Sequence, residues 1–289
     1  MFSYRHAFHA GNHADVLKHL VLIHCIQYLQ EKDGALLFVD THAGAGMYSL
    51  REGYALTSQE SLAGIDRLWS EKDREGANPL LKSYWELIGE LNPSGSINYY
   101  PGSPFIFANL LRSQDRLCLF ELHPTDITIL QENVSRLRLN QQIQVRKQDG
   151  FKDLKSLLPP TSRRGLVLID PSYELKADYQ TLETCLKEAL QRFATGTYLI
   201  WYPDLQRPES KQLPKRLKLI CEEYQRPWLR AELRVANQPT ERRLQASGIW
   251  VINPVWSLKP YLERLLPLLT NVLSQDQHSQ YLIETSNQT

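Results

Sequence analysis

The stretch Asp170-Pro171-Ser172-Tyr173 holds the residue types best suited to chemistry in this sequence. Pro171 has no backbone N–H and biases Asp170 toward extended geometry, so the Asp170 carboxylate and the Pro171 carbonyl become neighbouring acceptors. Two adjacent acceptors suit an amino group, and the ring of Tyr173 offers a flat face for a stacked planar base. The alternative is a structural Asp-Pro turn closing a buried strand.

A second concentration lies near the start of the chain, in Ser3-Tyr4-Arg5-His6-Ala7-Phe8-His9-Ala10-Gly11-Asn12-His13. The spacing His6-x-x-His9-x-x-x-His13 has no cysteine and no His-Glu-x-x-His frame, so zinc ranks below ordinary loop histidines. A third reading folds this arm over a pocket and brings Tyr4 and His6 to a substrate. Three further carboxylates, Asp40, Glu121 and Asp149, stand at the ends of expected strands as Asp170 does. Four charges at neighbouring strand tips are costly without a cationic or hydrogen-bonding ligand. Glu121 is placed to accept both hydroxyls of a ribose, and Asp149 to accept the amino group of a cofactor adenine.

Strands must position these groups. Leu166 to Ile169 is an unalternated apolar run, which suits a central parallel strand covered on both faces. Ligands then sit beyond its carboxyl end. Ala35 to Asp40 reads as the first strand, and Thr41-His42-Ala43-Gly44-Ala45-Gly46 as a small-residue loop that lets backbone approach a nucleotide. Asn12 caps a helix that runs toward Gly34, with Lys18 and His19 on its first turns. The second strand, Leu117 to Glu121, comes far too late for a normal crossover. Residues 50–98 therefore read as an inserted helical subdomain with Trp69, Tyr84 and Trp85 as a small core of its own, and residues 1–49 and 99–289 as the main domain. Ser103, after Tyr99-Tyr100-Pro101-Gly102, is either a ligand contact or a helix cap. Leu229 to Val235 and Gly248 to Ile252 read as a closing antiparallel pair, Pro260 to Leu273 as a last helix, and the tail from Ser274 as frayed.

With 289 residues, 42% hydrophobic and 22% charged, the composition is globular. A net charge of +1 gives no global sign of a polyanion partner, so nucleic-acid contact must be local. The run Lys211, Lys215, Arg216, Lys218, Arg226, Arg230, Arg234, Arg242 and Arg243 is by default a solvated face, with a phosphate-contacting surface as the alternative. The four cysteines are dispersed, which suits reduced thiols in a cytoplasmic protein. No stretch approaches a signal peptide or a membrane span.

Asp-Pro-Ser-Tyr resembles the Asp/Asn-Pro-Pro-aromatic motif of amino-group methyltransferases that use S-adenosylmethionine, with Ser172 in place of the second proline. Over nearly its whole length the chain resembles the RlmJ family, methyltransferases acting on one adenine N6 of 23S ribosomal RNA. The likeness rests on Ser3-Tyr4-Arg5-His6, Phe8 to His19, Asp40 to Gly46, Tyr99 to Pro104, Glu121-Leu122-His123-Pro124, Asp149-Gly150-Phe151 and Phe193 to Tyr198. It implies a Rossmann-like class I methyltransferase α/β fold with a mostly parallel seven-stranded sheet. It also implies that Lys18, His19, His42, Ser103, Glu121, Asp149, Gly150 and Asp170 form the site for S-adenosylmethionine, with no metal. Asp170 would be catalytic, and Tyr4, His6, Pro171 and Tyr173 would meet the target base. The implied partner is 23S ribosomal RNA or a ribosomal precursor, met by a cytoplasmic monomer with no membrane association. Rival readings are a DNA adenine or protein amide methyltransferase, a nicotinamide oxidoreductase, and a non-catalytic RNA-binding protein on the same scaffold.

Overall fold

Short apolar strands form the centre of the molecule. In the computed structural model, which describes residues 6–72, 78–237 and 244–286, ten strands are present. In chain order they are β1 (Leu37–Asp40), β2 (Met47–Ser49), β3 (Tyr99–Pro101), β4 (Arg116–Phe120) and β5 (Ile143–Arg146), followed by β6 (Gly165–Ile169), β7 (Thr197–Pro203), β8 (Trp228–Arg234), β9 (Ala246–Ile252) and β10 (Gln280–Thr285). Eight of them make one sheet in the order β10-β8-β9-β7-β6-β1-β4-β5, and β2 pairs with β3 as a separate antiparallel ribbon. β1 pairs in parallel with both β4 and β6, and β6 with β7. β9 runs antiparallel between β7 and β8. This is the Rossmann-like methyltransferase topology. Its strand order reverses at β1, the position where such sheets bind ligands.

Every residue of β6 and β9 is buried, as unalternated apolar strands require when both faces are covered. On one face lie the first helix, His13–Gln30, and the helix Leu258–Leu273. On the other lie the helices Lys176–Arg192 and Pro208–Glu223.

Two features differ from the sequence reading. The sheet has eight strands, not seven, because the tail read as frayed contains β10, antiparallel to β8. β10 is an edge strand with no residue in the buried class, so its sequence lacks a core signature. The helical stretch between β2 and β3 also shares its apolar core: Ile65, Leu68, Leu81, Tyr84, Leu87 and Ile88 belong to the same buried cluster as Leu17, Val21 and Leu262. Trp69 and Trp85 pack half-buried against that cluster.

The first helix is unusual in burying thirteen of its eighteen residues, Asp15, Lys18 and His19 among them. Helices buried all round show no amphipathic stripe. Its start is capped by Asn12 Oδ1, which accepts from the backbone N–H groups of Ala14 at 2.9 Å and Asp15 at 3.1 Å. Past its far end, Arg112 donates to the carbonyls of Gln30, Lys32 and Gly34, and Arg164 to those of Leu29 and Gly34. Arginine there also complements the negative end of the helix dipole.

Asp115 ties this end to the sheet. It is fully buried, and its carboxylate accepts from Leu36 N at 2.9 Å, from Gln30 Nε2 at 3.1 Å and from Arg112 Nε at 2.9 Å. Burial alone would raise its pKa, but the Arg112 guanidinium and the backbone N–H groups overcome this and hold it below the usual value. Replacing Asp115 by alanine strands the buried donors and is expected to cost about 3 kcal/mol in urea unfolding at neutral pH. A depressed carboxyl pKa stabilises the fold above the unfolded value and loses that contribution as pH falls through the folded one. The difference between Asp115→Ala and wild type is therefore expected to shrink below about pH 4.

Candidate active site

The carboxyl ends of β1, β4, β5 and β6 surround a cleft of about 480 Å³, a volume typical of small-molecule sites. Its lining holds six carboxylates (Glu121, Asp126, Asp149, Asp170, Glu174 and Asp178) against one lysine, Lys18, among the described residues. Such an interior favours a cationic ligand and repels phosphate.

The β1 loop, Thr41 to Gly46, forms one wall. Gly44 has φ +60°, a left-handed conformation open to glycine, and its N–H donates to Glu121 Oε2 at 2.7 Å. Glu121 Oε1 accepts from His123 N at 2.6 Å. Burial raises the Glu121 pKa, and these N–H bonds oppose the rise. Asp149 caps the short helix Gly150–Asp153 by accepting from Phe151 N at 3.1 Å, and it lies 3.2 Å from Lys152 Nζ. Gly150 packs so closely on the β1 loop that a Cβ there would lie 2.1 Å from the Thr41 carbonyl oxygen. His42 lies edge-on to Phe151, and burial pushes its pKa to about 4, so its ring is neutral at pH 7.

Ser103 is the first residue of the helix Ser103–Leu110, whose capping position is Gly102. Its hydroxyl donates instead to Asp40 Oδ2 at 2.6 Å, while His42 N donates to Asp40 Oδ1 at 3.1 Å. Asp40 is fully buried. Burial pushes its pKa up to about 7, against the pull of these two donors and with a further push from the Asp170 charge.

Lys18 reaches Asp170 across the site. Its Nζ is 2.5 Å from Asp170 Oδ2 and 2.8 Å from Asp15 Oδ1, with its side chain 3% exposed. Burial disfavours the ammonium, but the two carboxylates prevail and raise its pKa above the ordinary value. His6 Nε2 is hydrogen-bonded to Asp15 Oδ2 at 3.0 Å, and its ring meets that of Tyr48 at 5.2 Å. His6, Tyr48, Pro171 and Ser172 all line the cleft.

Two expected site residues lie elsewhere. His19 is behind the wall: its Nδ1 is hydrogen-bonded to the Tyr100 hydroxyl at 2.8 Å, which in turn meets Tyr84 at 2.7 Å. Tyr84 lies on the helix Lys82–Leu91 and Tyr100 on β3, so the His19 ring faces that side of the first helix and not the cleft. Tyr173 is 1% exposed and offers no stacking face. With φ +53° its ring turns under the loop, beside Tyr179 and Trp201, and its hydroxyl donates to the Trp201 carbonyl at 2.7 Å. Leu122 and Leu175, 42% and 66% exposed, line the cleft instead. Tyr4, Arg242 and Arg243 lie outside the described residues.

The remaining histidines of the arm take separate partners. His9 Nδ1 meets Glu60 at 3.0 Å, and burial pushes His13 to about 4. Much of the basic run is paired: Lys211 and Arg234 with Asp204, Arg216 with Glu183, Lys218 with Glu222, Arg230 with Glu232 and Glu284. Sequence reasoning missed Asp15, Tyr48, Asp126 and Asp178. Only Asp15 had a usable signal, an acid three residues before a lysine on one helix.

Asp40 makes stability depend on pH. Its folded carboxyl stays protonated up to about 7, whereas the unfolded chain ionises near pH 4. The stability it contributes is complete in acid and lost as pH rises through the folded value. Asp40→Asn is therefore expected to gain melting temperature relative to wild type as pH goes from about 5 to about 8, measured by differential scanning fluorimetry.

The family model for "Ribosomal RNA large subunit methyltransferase D, RlmJ" matches residues 33–283. The Escherichia coli K12 protein named Ribosomal RNA large subunit methyltransferase J is 45% identical over 273 residues, 94% of each chain. The protein of that name from Haemophilus influenzae is 43% identical over 285 residues, 98% of each chain. The crystal structure of protein LPL1258 from Legionella pneumophila superposes with a TM-score of 0.87 at 36% identity, covering 96% of this chain and 99% of that one. With a family model matched from β1's approach to β10 and two relatives alike over nearly their full length, the chain belongs to the RlmJ family of large-subunit ribosomal RNA methyltransferases.

Proposed function

We propose that the protein transfers a methyl group from S-adenosylmethionine to the N6 amino group of one adenine in 23S ribosomal RNA. The observation that carries this reading is the Asp170–Pro171 acceptor pair at the end of a buried strand, in a cleft whose lining is predominantly acidic. The acidic lining fits a sulfonium cofactor, which when bound supplies an electrophilic methyl group. Glu121 and Asp149 would hold its ribose and adenine, with His42, Gly150 and Ser103 shaping the wall.

Adenine N6 is a weak nucleophile because its lone pair is delocalised into the ring. Asp170 and the Pro171 carbonyl accept its two hydrogens and favour a pyramidal nitrogen. Lys18 binds one Asp170 oxygen and so fixes the other for the amino group. Positioning supplies much of the acceleration, and Asp170 stands where it can take the released proton. The base must leave its stack to arrive here. The carboxylates repel phosphates, so only the base enters, past the apolar rim of Leu122 and Leu175. His6, which lines the cleft, would meet the base, the role expected of Tyr4 as well. Residues 1–49 and 99–289 act as the catalytic domain and 50–98 as a helical insertion, in a cytoplasmic monomer that needs no metal. Among the described residues no helix is long and apolar enough to cross a membrane.

Labelled S-adenosylmethionine with in vitro transcribed 23S RNA and matched DNA tests this. Label is expected in RNA adenine N6 only, and Asp170→Ala is expected to lower turnover at least about a hundredfold. Near-normal turnover by Asp170→Ala, or label in DNA alone, would overturn the assignment.

A further inference from the structure

Asp15 is a buried acid beside the cleft, and nothing in the proposed reaction uses it. Its side chain is 1% exposed, and its two oxygens gather three segments of chain. Oδ1 takes Lys18 Nζ at 2.8 Å; Oδ2 takes His6 Nε2 at 3.0 Å and the N–H of Gly11 at 3.0 Å. Lys18 in turn reaches Asp170, 152 residues beyond it along the chain.

We infer that Asp15 is a positioning residue for methyl transfer, holding Lys18 against Asp170 and His6 at the cleft while keeping the buried charge cluster negative. This rests on the function proposed above. Asp15, Lys18 and Asp170 together carry one net negative charge. Were Asp15 neutral the sum would be zero, and the Lys18 ammonium would be committed wholly to Asp170, the group that must accept the substrate amine. As N6 takes the methyl group it gains positive charge, and a fixed negative cluster in a water-poor site favours that change. His6 depends on the same carboxylate for its place, so one residue sets both an edge and the floor of the cleft.

The groups around Asp15 leave this charge standing. His19 Nε2 is 4.0 Å away, but burial pushes His19 to about 3 and keeps it neutral. His13, which also senses Asp15, is neutral for the same reason. His9 feels Asp15 but bonds to Glu60. The hydroxyls of Tyr48, Tyr84 and Tyr100 sense Asp15 and stay protonated, since burial raises all three. Asp40 stands beyond Lys18 and Asp170, paired to Ser103.

The test is the full-length Asp15→Asn enzyme in single-turnover methyl transfer to 23S RNA, across pH. Asparagine keeps the shape and removes the charge. The rate is expected to fall about thirtyfold to a hundredfold, as for a small misplacement of catalytic groups. In steady-state assays the KM for cofactor is expected to stay within about threefold, since Glu121 and Asp149, proposed to hold it, are not bonded to Asp15. The basic limb of the rate profile moves to lower pH, because Lys18 loses one of the two carboxylates that keep it protonated. A wild-type rate and pH profile would overturn the inference.

Should Asp15→Asn not fold, ¹⁵N NMR of the Lys18 ammonium in Asp170→Asn decides. A protonated, slowly exchanging signal supports Asp15 as the second anchor, and a neutral or rapidly exchanging amine overturns it. That measurement uses no RNA. A wild-type enzyme that ignores 23S RNA would therefore defeat the substrate assignment while this arm still settles the anchoring.

Discussion

A lysine ammonium removed from water between two carboxylates is the interaction on which this site depends. An unpaired charge at that depth would cost several kcal/mol or be neutralised, so Lys18 persists as a cation only while Asp15 and Asp170 face it. That requirement fixes the start of the first helix against the end of β6. The chain then has little choice about where the Asp-Pro acceptors lie. The strand order places β6 beside β1, so Asp40 and its loop come to the same edge. Ser103 and the His42 amide satisfy Asp40 without adding charge. Neutral donors there let two neighbouring acids coexist, one protonated near neutrality and one ion-paired.

The separation between chemistry and stability follows the sheet's polarity. Groups that meet the cleft stand at the carboxyl ends of the strands, and the Asp115–Arg112 network binds the opposite edge. The helical stretch between β2 and β3 serves the first of these ends. Its Glu60 takes the side chains of His9 and Asn12, and Ile65 N donates to the Gly11 carbonyl, so the turn before the first helix is held from outside. Because its apolar residues lie in the main core, this stretch packs as part of the wall.

Much of this was legible in the sequence. Unalternated apolar runs ending in Asp40, Glu121 and Asp170 announce parallel strands with acids at their tips, since period and burial are local properties. The Asn12 cap was legible for the same reason. Orientation was not. Whether Tyr173 faces a ligand or the core turns on a left-handed φ that no side-chain pattern reports. His19 and Lys18 are neighbours on a helix buried all round, so periodicity could not say which one faced the cleft. β10 escaped because an edge strand needs only backbone pairing, which leaves little trace in composition. Some of the basic residues after β7 looked available because an acidic partner is distant in sequence, as Glu183 is from Arg216 and Glu284 from Arg230.

The two ends of the first helix are fastened independently, one by the charges at the cleft and the other by Arg112 and Arg164 on its last carbonyls. Eighteen residues of α-helix make a rod about 27 Å long. Helices resist compression far better than loops resist bending, so the rod acts as a ruler spanning the domain. The spacing between Lys18 and Asp170 is in this sense measured from the far side of the molecule. Alignment of the acceptor pair is thereby tied to residues that never approach a substrate, and wear at one end of the ruler is read as error at the other.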